Sequence, residues 1–137
     1  MANTVIRITR HAVDLDRVNF LKGVYGEDVR VITEDIPYGE DPVASVKALI
    51  ERHKTDGNLV VAVEATAPFP VLMKLVERRR ELEVALIRTQ FARDEGGRVI
   101  VSGKEEGTGR DLFKFGYYEE LEKIEFLTRR LESAASS

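Results

Sequence analysis

Residues 59–63, Leu59-Val60-Val61-Ala62-Val63, form an unbroken apolar run. A strand with no polar alternation suits the centre of a parallel sheet, where helices cover both faces. The flanking sequence agrees. Upstream, Asp41-Pro42 is a helix start, a capping carboxylate followed by proline at the first helical position. Val43, Val46, Leu49, Ile50 and His53 carry that helix, and Asp56-Gly57-Asn58 closes it. Downstream, Pro68-Phe69-Pro70 leads into a helix bearing Val71, Leu72, Leu75 and Val76, with Arg78-Arg79-Arg80 in its last turn.

Further out the same rhythm continues. Thr4 to Thr9 is β-branched and alternating, which predicts the first strand. Asp14 can cap a helix to Tyr25; Gly23 weakens it and Gly26 is placed to stop it. Val29 to Thr33 reads as a second strand and Val84 to Thr89 as a fourth. Arg98 to Ser102 reads as a fifth, joined through Asp94-Glu95-Gly96-Gly97. Tyr117, Leu121, Ile124, Leu127 and Leu131 fit helical spacing, although Lys123 to Phe126 also alternates as a strand would. Helix is the favoured reading there, and 133–137 reads as a frayed tail. The expected fold is therefore α/β: a single Rossmann-like domain over residues 1–132, with a mostly parallel sheet of about five strands and helices on both faces.

Composition narrows the function classes. The chain has 137 residues, 43% hydrophobic, enough for one domain with a core. It has no cysteine, hence no disulfide, thiolate nucleophile or cysteine metal site. Two distant histidines, His11 and His53, make no case for zinc, so no metal and no cofactor are expected. A net charge of −3 argues against general binding of duplex nucleic acid, which relies on excess positive charge. No apolar run approaches the roughly 20 residues of a spanning helix, so no membrane association and a cytoplasmic location are expected.

Ligands of open α/β sheets are gripped at the carboxyl ends of the strands. Four such ends are Thr9-Arg10-His11, Thr33-Glu34-Asp35, Glu64-Ala65-Thr66 and Thr89-Gln90-Phe91. Helix starts beside the first three would add unpaired amides, which favour anions. Hydroxyls, an arginine and a histidine in one place suit a small anionic, phosphate-bearing ligand, with Thr33, Thr66, Gln90 and Arg10 as candidate binding residues. Arg10 can take a phosphate in its planar fork; its plainer reading is a surface salt bridge to Asp14 or Asp35. His11 has a pKa range suited to acid–base work; its plainer reading is a turn residue bonded to backbone. Thr66 reads most simply as a helix cap. The glycine-rich stretch 103–110 is not a phosphate loop, because Lys104 is followed by Glu105 rather than serine or threonine. A hairpin or surface loop is expected there. The first strand–helix turn lacks the dinucleotide glycines.

A strand ending in a hydroxyl residue, a variable residue and histidine, here Thr9-Arg10-His11 before Asp14-Leu15-Asp16, resembles the small CRISPR-associated ring-nuclease families. The apolar strand 59–63 leading to Thr66 and the Pro68-Phe69-Pro70 helix entrance is a second point of resemblance. It spans about residues 4–90; the 103–110 loop is not part of the pattern. The resemblance implies a homodimer whose paired strand ends cradle a cyclic oligoadenylate. It also implies metal-independent cleavage by the ligand's own 2′-hydroxyl. Thr9 and His11 would be the catalytic candidates, with Thr66 beside the ring and Arg10 countering phosphate charge. The alternative is a non-catalytic interaction or scaffold protein whose strand-end polar groups only cap helices.

Overall fold

A computed structural model describes residues 2–55 and 57–134. In chain order its elements are β1 Ala2–Ile8, α1 Leu15–Tyr25, β2 Arg30–Glu34, α2 Pro42–His53, β3 Asn58–Ala65, α3 Phe69–Glu77 and α4 Arg79–Leu82. They are followed by β4 Ala85–Phe91, β5 Val101–Lys104, β6 Asp111–Phe113 and β7 Phe115–Glu120. The local signals explain the first half. Asp14 accepts from the Arg17 amide, Asp41 accepts from the Ala44 amide, and Pro42 fills the first turn of α2. Gly26, at φ +109°, ends α1 with its amide bonded to the Lys22 carbonyl. Asp56 and residues 135–137 lie outside the described residues.

Five strands form one sheet in the order β2-β1-β3-β4-β7. The first four are parallel, and β7 runs antiparallel to β4. Alternate residues of β1 serve opposite sides of this sheet. Ile6 and Ile8 join Val46, Leu49, Leu75 and Val76 of α2 and α3, whereas Val5 joins Leu21 of α1. Helices thus cover both faces. Ile6, Leu49, Leu75 and Leu86 are almost wholly shielded, each such side chain contributing roughly 1.5–3 kcal/mol relative to exposure.

Two expectations are corrected in the second half. The 98–102 strand is not the sheet's fifth strand: β5 begins at Val101 and pairs with β6 in a separate two-stranded hairpin. The 105–110 turn joins them, so the glycine-rich stretch is a hairpin tip. The fifth sheet strand is β7, in a region read as helix from residue 117. Residues 121–133 form neither helix nor strand. The physical reason is aromatic burial. Phe115 and Tyr118 pack edge-on against Phe20 of α1, at centroid distances of 5.7 and 5.9 Å. Pairing with β4 then gives each β7 residue except Gly116 a cross-strand partner. Arg78 also departs from expectation: it caps α3, and Arg79 and Arg80 open α4.

Candidate functional site: a cleft at the carboxyl ends of β1 and β3

From β1 the chain goes through α1 to β2 on one side; from β3 it goes through α3 to β4 on the other. The loops after β1 and β3 therefore diverge, and such a divergence leaves a crevice outside the strand ends. A cleft of about 940 Å³ lies there, near the upper end of the roughly 300–1,000 Å³ typical of small-molecule sites. Thr9, Arg10, His11 and Ala12 form one wall, and Ala65, Thr66 and Ala67 another. Asp14, the cap of α1, and Arg17 within it, Leu72 of α3, Arg88, Thr89 and Phe91 of β4, and the β5–β6 hairpin complete it. A smaller hollow of about 410 Å³ lies at the opposite edge, lined by the starts of β3 and β4 and by Arg79 and Arg80. Its wall is apolar along β3 and β4 (Leu59, Val60, Val61, Ala85 and Leu86), with Arg79, Arg80, Glu83 and Glu120 as its charged lining, and it lies away from the carboxyl ends of the parallel strands.

The floor is a buried ion pair. Arg7 and Glu64, each 3% exposed, sit on the neighbouring strands β1 and β3 in register. Arg7 Nε donates to Glu64 Oε1 at 2.9 Å, and Arg7 Nη1 donates to Thr33 Oγ1 and to the His11 carbonyl, both at 3.2 Å. Tyr118 donates its hydroxyl to Glu64 Oε1 at 2.6 Å, and Thr89 donates to Oε2 at 3.0 Å. All five strands of the sheet and the loop after β1 are thereby tied through one carboxylate and one guanidinium. Burial, reinforced by the Glu64 charge and hydrogen bond, pushes the Tyr118 phenol well above its ordinary range. Tyr38, whose hydroxyl donates to the Thr66 carbonyl at 3.4 Å, is pushed up to about 12, chiefly by burial.

Charge pairing decides which cations remain for a ligand. Arg7 is neutralised by Glu64, Arg17 pairs with Asp14, Lys104 with Asp111, and Arg88 with Glu119. Arg17 also lies 4.9 Å over the Phe115 ring. Among the described residues, the Arg10, His11 and Arg110 side chains in the cleft make no hydrogen bond or ion pair. Arg10 pairs with neither Asp14 nor Asp35. Helix amides contribute less than expected. The Arg17 amide is already bonded to Asp14, and α3 starts with prolines at 68 and 70, which have no N–H. Thr66 is not a helix cap: Pro68 holds that position, with no side-chain cap bond.

Of the candidates, Thr9, Arg10, His11 and Thr66 line one cleft. Thr9 Oγ1 accepts from the His11 amide at 3.2 Å and so shapes the turn that presents the imidazole. Thr33 lies beneath, bonded to Arg7, and does not line the cleft. Gln90 does not line it either; its side-chain amide donates to Glu119 at 2.6 Å. Arg7, Tyr118 and Phe113 were missed from the sequence; Glu64, Thr89 and Phe91 stood in the expected strand ends, with no role assigned to them. The available signal was opposite charge on neighbouring buried strands: Arg7 between two isoleucines, and Glu64 directly after the apolar run. Among the described residues, no three histidine, aspartate or glutamate side chains converge as a metal site, and no helix is long and apolar enough to cross a membrane. Compared with known proteins, the chain matches no family model, no curated protein and no solved structure.

Proposed function

We propose that this chain is a Rossmann-like domain that binds a phosphate-bearing nucleotide of the cyclic oligoadenylate class in the β1/β3 cleft. The observation that carries the reading is the convergence of Arg10, His11 and Thr66 on the strand-end cleft, with Arg10 and His11 unpaired. Strand order β2-β1-β3-β4 is the doubly wound arrangement in which such crevices hold nucleotides. A ring ligand extends beyond one chain's cleft, so two copies face their strand ends toward it as a homodimer. A nucleotide messenger also fits a cytoplasmic protein. Cleavage follows from the same groups. The ligand's 2′-oxygen bonds to the adjacent phosphorus as the P–O5′ bond breaks, leaving a 2′,3′-cyclic phosphate and a 5′-hydroxyl. His11 takes the 2′-hydroxyl proton and later returns it to solvent, the departing 5′-oxygen takes a proton from water, and Arg10 stabilises the charge developing on phosphate.

The test mixes purified protein with cyclic tetra- and hexa-adenylate without added metal, measuring binding by calorimetry and products by chromatography. Binding at micromolar concentration or tighter is expected, and Arg10→Ala should weaken it by roughly 10- to 100-fold, the worth of one charged hydrogen bond. No binding by folded protein removes the reading. His11→Ala should bind and not cleave; cleavage at an unaltered rate would remove the histidine's role alone. A second reading, a non-catalytic interaction protein, is favoured by one observation: Phe126, Leu127 and Leu131 are 68%, 98% and 84% exposed on the segment after β7. It expects no adenylate binding and a protein partner that Leu127→Asp releases.

A further inference from the structure

We infer that Phe91 and Phe113 form a stacking platform for a base of the bound ligand, so the hairpin supplies base recognition while the strand ends hold phosphate. This rests on the nucleotide reading of the cleft and adds the part of the ligand that the phosphate groups leave unexplained. Phe91 ends β4 and Phe113 ends β6, so the two rings come from different sheets. Their centroids lie 5.6 Å apart with the planes inclined at 57°. Both rings line the cleft, yet they remain 38% and 43% exposed. Their mutual contact leaves ring surface open, unlike Phe115, which is buried against Phe20 and Tyr118.

Three backbone bonds hold the platform over the strand ends. The Ala92 amide donates to the Lys114 carbonyl at 2.9 Å, the Ile100 amide to Ala92 at 3.0 Å, and the Lys114 amide to Ile100 at 2.8 Å. The hairpin is rooted directly beyond β4. Charge indicates the occupant. Exposed rings alone would suit any apolar group, but this cleft also carries Arg10 and Arg110, without ion-pair partners among the described residues. The hairpin-tip carboxylates Glu105 and Glu106 line it too, so the phosphate belongs at the strand ends beside Arg10. A flat π-face beside free positive charge matches a ligand with an aromatic base and a phosphate. A purely apolar partner would leave those guanidinium groups desolvated and unpaired.

Two probes separate this inference from the reading beneath it: cyclic tetra-adenylate, and inorganic tripolyphosphate, which has charge and no base. Phe91→Ala and Phe113→Ala should each weaken cyclic tetra-adenylate by roughly 5- to 150-fold, the range for losing one stacked base. Both should leave tripolyphosphate affinity unchanged, and Phe113→Tyr should keep adenylate affinity within about threefold of the parent. Arg10→Ala should weaken both probes. Circular dichroism confirms folding, which partly exposed rings do not control. If the parent binds adenylate and the alanine variants match it within twofold, the platform is overturned and the nucleotide reading stands. If the parent binds no adenylate, both fall. A change of oligomeric state with unaltered adenylate affinity makes the rings a protein interface and overturns the platform.

Discussion

Removing Glu64 should cost far more than removing Glu64 and Arg7 together. Glu64→Leu leaves the Arg7 guanidinium, 3% exposed, with only Thr33 Oγ1 and the His11 carbonyl as partners. It also strips the Tyr118 and Thr89 hydroxyls of their acceptor. Breaking a buried pair on one side costs about 3–5 kcal/mol. With a urea dependence near 1.5 kcal/mol per molar, the unfolding midpoint should fall by about 2–3 M. Arg7→Met with Glu64→Leu replaces both charges by apolar bulk, which is often neutral or stabilising. The double variant should therefore recover most of the loss. About 1–3 kcal/mol of deficit should remain from the orphaned Tyr118 hydroxyl, and adding Tyr118→Phe should remove it. Urea unfolding followed by far-ultraviolet circular dichroism gives every corner of the cycle. A single Glu64→Leu cost below about 1 kcal/mol would refute the buried-pair reasoning. So would a double variant whose loss equals the sum of the two single losses.

Gly116 sits at the register shift between β4 and β7, where an added Cβ would meet the Ala92 amide nitrogen and the Gln90 carbonyl oxygen at 2.9 Å. Gly116→Ala should therefore cost about 1–3 kcal/mol in urea unfolding, because backbone atoms cannot swing aside; a neutral variant would contradict the register. The raised Tyr118 pKa sets an alkaline limit. Folded Tyr118 keeps its proton where the unfolded phenol loses it. Stability should hold below the ordinary pKa near 10 and fall as pH rises past it, by up to about 1.4 kcal/mol per pH unit. Tyr118→Phe should flatten that decline between pH 9 and 11; equal slopes would show that the phenol is not the group responsible.

The first ninety residues were largely legible because their signals are local. Asp14 and Asp41 cap helices through amides three residues on, and Gly26 ends α1 at positive φ. The run 59–63 is central because both its faces are apolar, and β3 does lie between β1 and β4. Part of the candidate site was legible for the same reason. Thr9, Arg10, His11 and Thr66 follow strands whose ends a parallel sheet brings to one edge. Thr33 and Gln90 were misplaced because a strand end has two faces, and each residue's direction depends on register. The segment after residue 114 was misread because its apolar spacing satisfies a helix. Its strand becomes visible only when Phe115 and Tyr118 meet Phe20 across the fold.

By itself the sequence determined the β–α succession, the helix caps, the two-faced apolar strand and the cluster Thr9-Arg10-His11, since each depends on residues within one or two turns. Tertiary structure decided the rest. It set β7 antiparallel, placed the hairpin above the strand ends and joined Arg7 to Glu64 across 57 positions. It also settled which cations stay free, since four of the cleft's arginine and lysine side chains find carboxylates contributed by the folded chain. The physical reason is the low-dielectric interior. A charge written into a strand reads as polar alternation, and only the partner brought against it shows whether it is floor or ligand site.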